Sequence, residues 1–196
     1  SRASSPTAIT AALPARAVSV SVTRPADRAN FSARLDHART KAPALRASYQ
    51  RTGTSSSNLG VGDFDLPARA YSRDTTADVF RMSQTGPIGR RMFNETRFQW
   101  RNQSMAQSSL TDAATVPVLD AFTAGGAPIE GGRSGTDSEL ASDLDYAQGR
   151  HSARAGFILE AGRYRSDDSR NMGGTFTFAS LDAYEAGRPT TFTRRS

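Results

Sequence analysis

A chain of 196 residues, 37% hydrophobic with a mean hydropathy of −0.53 and no cysteine, has the size of one ordinary domain and excludes both a disulfide framework and a thiolate metal site. It holds no run of about 20 apolar residues, which excludes a helical membrane span but not a transmembrane barrel, whose alternating strands look hydrophilic on average. The net charge of +6, with an isoelectric point near 10.4, is nearly all arginine, since Lys41 is the only lysine. Those arginines are scattered among carboxylates, with only short pairs such as Arg90–Arg91 and Arg194–Arg195, and this argues against a nucleic-acid partner.

Residues 1–15 are rich in Ala, Ser and Pro and read as an irregular lead-in. Ser1 opens without the charged start and apolar run of a signal peptide, so the true N-terminus of an exported parent is expected upstream. Ala17 to Thr23 alternates Val18, Val20 and Val22 against Ser19, Ser21 and Thr23, the mark of a β-branched strand. Pro25–Ala29 reads as a turn. Asn30 to Ala38 places Phe31, Ala33 and Leu35 against Ser32, Arg34 and Asp36. After a short break at Arg39–Ala42, Pro43 to Gln50 places Leu45, Ala47 and Tyr49 against Arg46, Ser48 and Gln50. Thr52–Pro67, rich in Gly, Ser and Asn, reads as a long loop.

Tyr71 to Ser83 is extended but poorly phased, because Val79 and Phe80 are adjacent; its faces stay open. Thr85-Gly86-Pro87 signals a tight turn within Gln84–Gly89. Arg91 to Arg101 alternates Met92, Thr96, Phe98 and Trp100 against Glu95, Arg97, Gln99 and Arg101. Asn102–Thr136 is a long polar segment with a short extended piece at Val116–Phe122. Glu139 to Tyr146 sets Leu140, Leu144 and Tyr146 against Glu139, Asp143 and Asp145. A minimal turn, Gly149–Arg150, leads into the clearest ribbon, His151 to Arg163. There Ala153, Ala155, Phe157, Leu159 and Ala161 share one phase, while Arg154, Ile158 and Glu160 share the other. Successive strand residues point to opposite faces, so each ribbon has one apolar and one polar side.

Two regularities favour a membrane barrel over a soluble β-sandwich. Short connections (Arg39–Ala42, Gln84–Gly89, Gly149–Arg150) alternate with long ones (Thr52–Pro67, Asn102–Thr136, Tyr164–Gly174), as periplasmic turns alternate with outside loops. In the well-phased strands the charges Arg34, Asp36, Arg46, Glu95, Arg97, Arg101, Asp143, Asp145, Arg154 and Glu160 all fall on the polar phase. The apolar phase has none until Arg163. A lipid-facing charge at the midplane costs about 2–4 kcal/mol for Arg or Lys, so these ten residues are the candidates for a barrel lumen. Tyr49, Trp100 and Tyr146 sit near strand ends, where an interfacial girdle belongs.

Residues 44–73, 85–100 and 149–195 together resemble the barrel region of TonB-dependent outer-membrane receptors, most closely the class with a carboxypeptidase-regulatory-like N-terminal domain. A periplasmic turn of Gly-x-His type is matched by Gly149-Arg150-His151, and Gly-x-Phe-x-Phe after an outside loop by Gly174 to Phe178. A Tyr…Gly-Arg-Pro piece is matched by Tyr184 to Pro189. The resemblance spans roughly residues 30–196. It implies a plug domain, a TonB-contacting segment and a barrel of about 22 strands, none of which the seven strands read here supply. It also implies a terminal aromatic strand, where this chain has Arg194-Arg195-Ser196. The chain is therefore expected to be a fragment, 16–163 being partial barrel and 164–196 an outside loop region, whose end strands would be unpaired edges that hydrocarbon does not tolerate.

Chemistry is sparse. His37 and His151 lie far apart in sequence, each beside a short turn, and without cysteine they make a poor ligand set. Asp143 and Asp145 share a face with Arg154 and Glu160, which reads as a ladder with arginine rather than an acid–base pair. Asp167, Asp168 and Asp182 do not follow calcium-loop spacing. The glycines from Gly125 to Gly135 lack a phosphate loop's Gly-Lys-Ser/Thr ending, and no serine sits in a Gly-x-Ser-x-Gly elbow. No catalytic, cofactor or metal residue is assigned. The expectation is an all-β antiparallel transmembrane segment in the cell outer membrane, with lipid, a plug, the TonB system and an unknown transported substrate as partners and no nucleic acid. The alternatives are a passive surface or adhesion barrel and a soluble sandwich that binds a ligand.

Overall fold

Period-two alternation is a pattern only a paired strand can use, and the ribbons do pair. The computed structural model describes residues 2–13, 16–39 and 42–195. In chain order the elements are β1 (Arg2–Leu13), β2 (Arg16–Arg39), β3 (Ala42–Leu59), a 3-10 turn (Pro67–Arg69), β4 (Tyr71–Ile88), β5 (Met92–Ser109), β6 (Val116–Val118), β7 (Phe122–Ala124), β8 (Gly131–Gln148), β9 (His151–Asp168), β10 (Thr175–Thr177), α1 (Leu181–Glu185) and β11 (Thr191–Thr193). Seven of them form one antiparallel meander in the order β1-β2-β3-β4-β5-β8-β9. The sheet does not close into a barrel. Among the described residues the outer edge of β9 has no partner strand, and β2 beyond Asp27 pairs only with β3.

The number of large strands agrees with the sequence reading, but their limits do not. Residues 1–15, read as a lead-in, contain β1, and the two ribbons at 17–23 and 30–38 are one strand, β2. The turn expected at Pro25–Ala29 is absent because Pro25 lies where β2 passes from one neighbour to the other. Pairing with β3 begins at Ala26, and Pro25 itself is opposite Ser4 of β1, so the missing N–H is tolerated as on an edge strand. Likewise Thr85-Gly86-Pro87 does not turn. It continues β4 against Glu95, Asn94 and Phe93, just where pairing with β3 ends at Ala44↔Thr85. The turn is 89–91 instead.

The expected long loops are shorter than read, since β3 runs to Leu59, β5 to Ser109 and β9 to Asp168, while β8 starts at Gly131. Thr40 and Lys41, in the expected turn at Arg39–Ala42, lie outside the described residues. The described short turns, 89–91 and 149–150, share one end of the sheet and the loops 60–70, 110–130 and 169–174 share the other. Gly149, at φ 60°, supplies the left-handed residue that the two-residue turn after β8 needs.

The register aligns the faces across strands. Leu35, Ala47, Met82, Phe98, Leu140 and Leu159 form one cross-strand row, and the next is Ala33, Tyr49, Phe80, Trp100, Ser138 and Ala161. Immediately beyond comes Phe31, Arg51, Asp78, Asn102, Thr136 and Arg163. Along β9 the apolar face runs from Ala153 to Ala161, nine residues or about 26 Å of strand. Over those rows the described residues of this face include no Asp, Glu, Lys or Arg. Polar groups do occur on it, and three satisfy one another: Asn94 donates to Ser142 Oγ at 3.1 Å, and Thr96 donates to Asn94 Oδ1 at 3.0 Å.

Among the described residues no layer covers this face. Leu35, Phe157 and Leu159 are 63%, 51% and 61% exposed, although burying such a side chain stabilises by about 1.5–3 kcal/mol. The clusters of buried apolar residues lie at the loop end. One is Val118, Phe122 and Phe178, joined by the edge of the Tyr184 ring at 5.4 Å from Phe122 and 5.3 Å from Phe178. The other is Val61 and Ala70 against Val22, where Asn58 Nδ2 donates to the Thr23 carbonyl at 2.8 Å and the Arg24 guanidinium donates to the Val61 carbonyl. These loops fold as a cap in which Val118 of β6 bridges Phe178, the residue after β10, in parallel. A soluble sandwich would put a second sheet over the apolar face; here the two-stranded sheets β6-β7 and β10-β11 belong to the cap.

Candidate functional site

Opposite the apolar rows, at the same level of the same strands, the other face carries all the charge. Its members are Arg34 and Asp36 on β2, Arg46 on β3, Arg81 on β4, and Glu95, Arg97 and Arg101 on β5. Asp137, Glu139, Asp143 and Asp145 on β8, with Arg154 and Glu160 on β9, complete the set. All ten residues singled out from the sequence stand on this one face. The structure adds Glu139, which the sequence put on the polar phase but not among the ten, and Arg81 and Asp137, which sequence reasoning missed. Arg81 lies on the poorly phased ribbon, where only pairing with Ser48 and Gln99 reveals its side. Asp137 lies between a segment read as loop and the ribbon read from Glu139. The large apolar residues Phe93 and Ile158 also stand on the charged face and are exposed.

The charges form a ladder that crosses the strands. Asp36 accepts from Arg34 Nε and Arg46 Nε, both at 2.6 Å. Arg81 Nε donates to Gln99 Oε1 at 2.8 Å, and Arg101 Nε is 3.1 Å from both carboxylate oxygens of Asp137. Arg97 lies 3.7 Å from Glu95 and 3.9 Å from Asp143, while Arg154 reaches Asp143 at 3.7 Å and Asp145 at 3.6 Å. The two aspartates two apart on β8 thus share the β9 arginine. Exposed pairs of this kind are screened by water and contribute little, so the ladder orients side chains more than it stabilises the sheet. Glu139 and Glu160 are direct cross-strand partners, a like-charge juxtaposition that opposes pairing.

The sign of the charge changes across the face. From β2 to β5 five arginines meet two carboxylates, whereas on β8 and β9 five carboxylates meet one arginine. Arg46, Arg81 and Arg97, with Ser48, Ser83, Gln99 and Glu139, line a cleft of about 360 Å³ in the basic half. This arrangement can hold polar or charged matter against a wide, wetted surface, and it carries no nucleophile–base pair.

Charges on the apolar side begin in the row of Arg163, so that residue is not at a strand end as the sequence reading has it; β9 continues to Asp168. Tyr49 O–H donates to Asp78 Oδ1 at 2.5 Å, and Arg51 stands 3.6 Å from the same carboxylate, on a buried residue. Tyr49 and Trp100, expected near strand ends, are mid-strand and mark the upper limit of the apolar rows; Tyr146 lies two residues from the end of β8.

His37 and His151 are both exposed at the short-turn end, and among the described residues no three His, Asp or Glu groups converge on a metal position. Asp168, read in sequence beside Asp167, is engaged instead by Arg170 at 2.8 Å and Arg195 at 2.7 Å. Those two guanidiniums hold its carboxyl well below the usual carboxylate range. The Gly-x-Phe-x-Phe motif forms β10, where Phe176 meets Phe192 of β11 at 4.4 Å, and Tyr184 sits on α1. No family model, curated protein or solved structure matches the chain.

Proposed function

We propose that this sheet is part of the barrel of a TonB-dependent outer-membrane transporter, its apolar face against lipid and its charged face toward the lumen. One observation carries the reading: over the rows from Ala153 to Ala161 the described residues of one face include no Asp, Glu, Lys or Arg and those of the other include eleven, with Arg101 and Asp137 in the row just beyond. The apolar stretch of β9 is nine residues long, the length a tilted strand needs to cross hydrocarbon. Uncovered in water, Phe31, Leu35, Phe157 and Leu159 forgo several kcal/mol of burial, comparable with the whole net stability of a domain at about 5–15 kcal/mol. Lipid supplies that cover without a second protein layer. The open edges on β2 and β9 call for further strands, because an unpaired edge is not stable in hydrocarbon.

Import of a scarce nutrient, with energy from the inner membrane through TonB, is supported by the sequence resemblance. On this reading the ladder lines the pathway or holds the plug, and the capped loops meet the substrate. In the full-length protein, Phe157→Arg impairs insertion by about 2–4 kcal/mol if the position is near the midplane. Phe157→Leu is nearly silent, because lipid has no fixed shape to match. Heat-modifiable gel mobility separates the two, and a leucine variant as damaged as the arginine variant argues for a packed protein contact instead. Arg154→Ala keeps the mobility shift but lowers uptake; normal uptake in that variant, or in cells without TonB, contradicts the transport assignment.

A further inference from the structure

The two described short connections, after β4 and after β8, are basic, and no described carboxylate pairs with them. The turn between β4 and β5 carries Arg90 and Arg91, the turn between β8 and β9 carries Arg150, and all three are exposed. In sequence, Lys41 falls in the third connection, and no Asp or Glu occurs in 37–44, 84–94 or 146–153. The nearest carboxylates of β5 and β8 are engaged elsewhere, Glu95 by Arg97 at 3.7 Å and Asp145 by Arg154 at 3.6 Å. Among the described residues, Arg90, Arg91 and Arg150 have no ion-pair partner. The loop end differs, for there Arg170 and Arg195 meet Asp168 and Arg69 meets Asp65.

Adjacent hairpin turns are two strand spacings apart, about 10 Å. That is close to the screening length of about 8 Å at physiological salt, so the fields of the turns overlap into one positive stripe. The stripe is continuous with the apolar face: Ile88, Met92 and Tyr146 occupy the last apolar row before the turns. An occupant that covers those side chains with acyl chains brings its headgroup level with the arginines. Guanidinium binds phosphate through paired hydrogen bonds.

We propose that the short-turn rim is a docking surface for anionic phospholipid headgroups of the leaflet it meets. This rests on the membrane reading above, and the test separates the two. The full-length protein and its Arg90→Gln/Arg91→Gln/Arg150→Gln variant are reconstituted in phosphatidylcholine vesicles and in equimolar phosphatidylcholine–phosphatidylglycerol vesicles. Heat-modifiable mobility reports insertion, and spin-labelled lipids report which headgroup stays at the protein boundary. The wild type should insert and retain phosphatidylglycerol several-fold over phosphatidylcholine, with the preference shrinking in high salt and lost in the variant. Insertion without a headgroup preference, or a preference unchanged in the variant, overturns the rim proposal alone. Failure of the wild type to insert in either vesicle overturns the membrane reading and this proposal with it.

Discussion

The lower and upper halves of the large sheet share strands and hydrogen-bond ladders but not side-chain chemistry. Below the row of Arg51, Asp78 and Arg163 the two faces are sharply unequal, one apolar and one charged. Above it both faces are polar: Gly53, Ser55, Thr76, Asp74, Ser104, Ser134, Arg165 and Asp167 now stand on the side that was apolar. Backbone pairing is indifferent to this change, since every residue brings its own donor and acceptor. What changes is the medium each half can tolerate. The upper half, closed by the loop cap, suits water on both sides; the lower half leaves apolar side chains that water disfavours.

The largest expected effect tests whether the upper half depends on its cap. Phe122 is 2% exposed among Val118, Phe178 and Tyr184, so Phe122→Ala should cost about 3–5 kcal/mol locally. Hydrogen exchange should then show early opening of β6, β7 and β10, with the Ala153–Ala161 segment of β9 still protected. Loss of protection along all of β9 would join the halves into one cooperative unit. The second test sets one substitution against itself across the boundary. Phe157→Arg carries the insertion cost given above, whereas Ser55→Arg, on the same face but level with Asp27 and Asp74, should change stability by no more than about 0.5 kcal/mol. Equal damage at both positions would erase the distinction between the halves.

Much of the lower half was legible in the sequence, and the reason is geometric. A strand's side chains alternate with period two, so wherever the two faces meet different media the phase is written into the residues, as in Leu140/Asp143 or Phe157/Arg154. The upper half carries no such contrast. Thr52 to Ser56 and Gln103 to Gln107 look like loop in sequence because both faces are polar, yet they pair with a strand on each side. Prolines misled for a related reason. Pro25 and Pro87 lie in strands where pairing to β3 starts or stops, a fact set by neighbours remote in sequence. The cap was hidden by distance along the chain, its core residues Val118, Phe122, Phe178 and Tyr184 lying in segments that individually look polar. The side taken by Arg81 became clear only through its partners, Ser48 and Gln99.

Two smaller effects refine the picture at the charged face and at the loop end. Glu160→Gln removes the repulsion with Glu139 and should stabilise the sheet by a few tenths of a kcal/mol, within the 0.2–1 kcal/mol or so of one cross-strand pair. Thermal unfolding of the two proteins side by side checks this, and a destabilised variant would mean that Glu160 has a partner worth more than that repulsion. Asp168 has a folded-state carboxyl titrating below its unfolded value, so its contribution is present above about pH 4 and is lost only as pH falls through the lower, folded value. The contact of Arg195 with Asp168 should therefore leave proteolysis of the segment after β10 unchanged between neutral and mildly acidic buffer, with release confined to strong acid. Release already at mildly acidic pH would contradict the pairing.

The most direct test of the central claim is a nitroxide scan along β9 in the full-length protein reconstituted in bilayers, one position at a time from Ser152 to Asp167. Collision with oxygen, which concentrates in hydrocarbon, is compared with collision with a water-soluble paramagnet. The account predicts oxygen-dominated signals at Ala153, Ala155, Phe157, Leu159 and Ala161 and aqueous signals at Ser152, Arg154, Gly156, Ile158 and Glu160. The alternation should vanish from Arg163 onward, with both phases aqueous. Alternation that continues unbroken to Asp167, or water-soluble collisions at Phe157 as frequent as at Arg154, would contradict it.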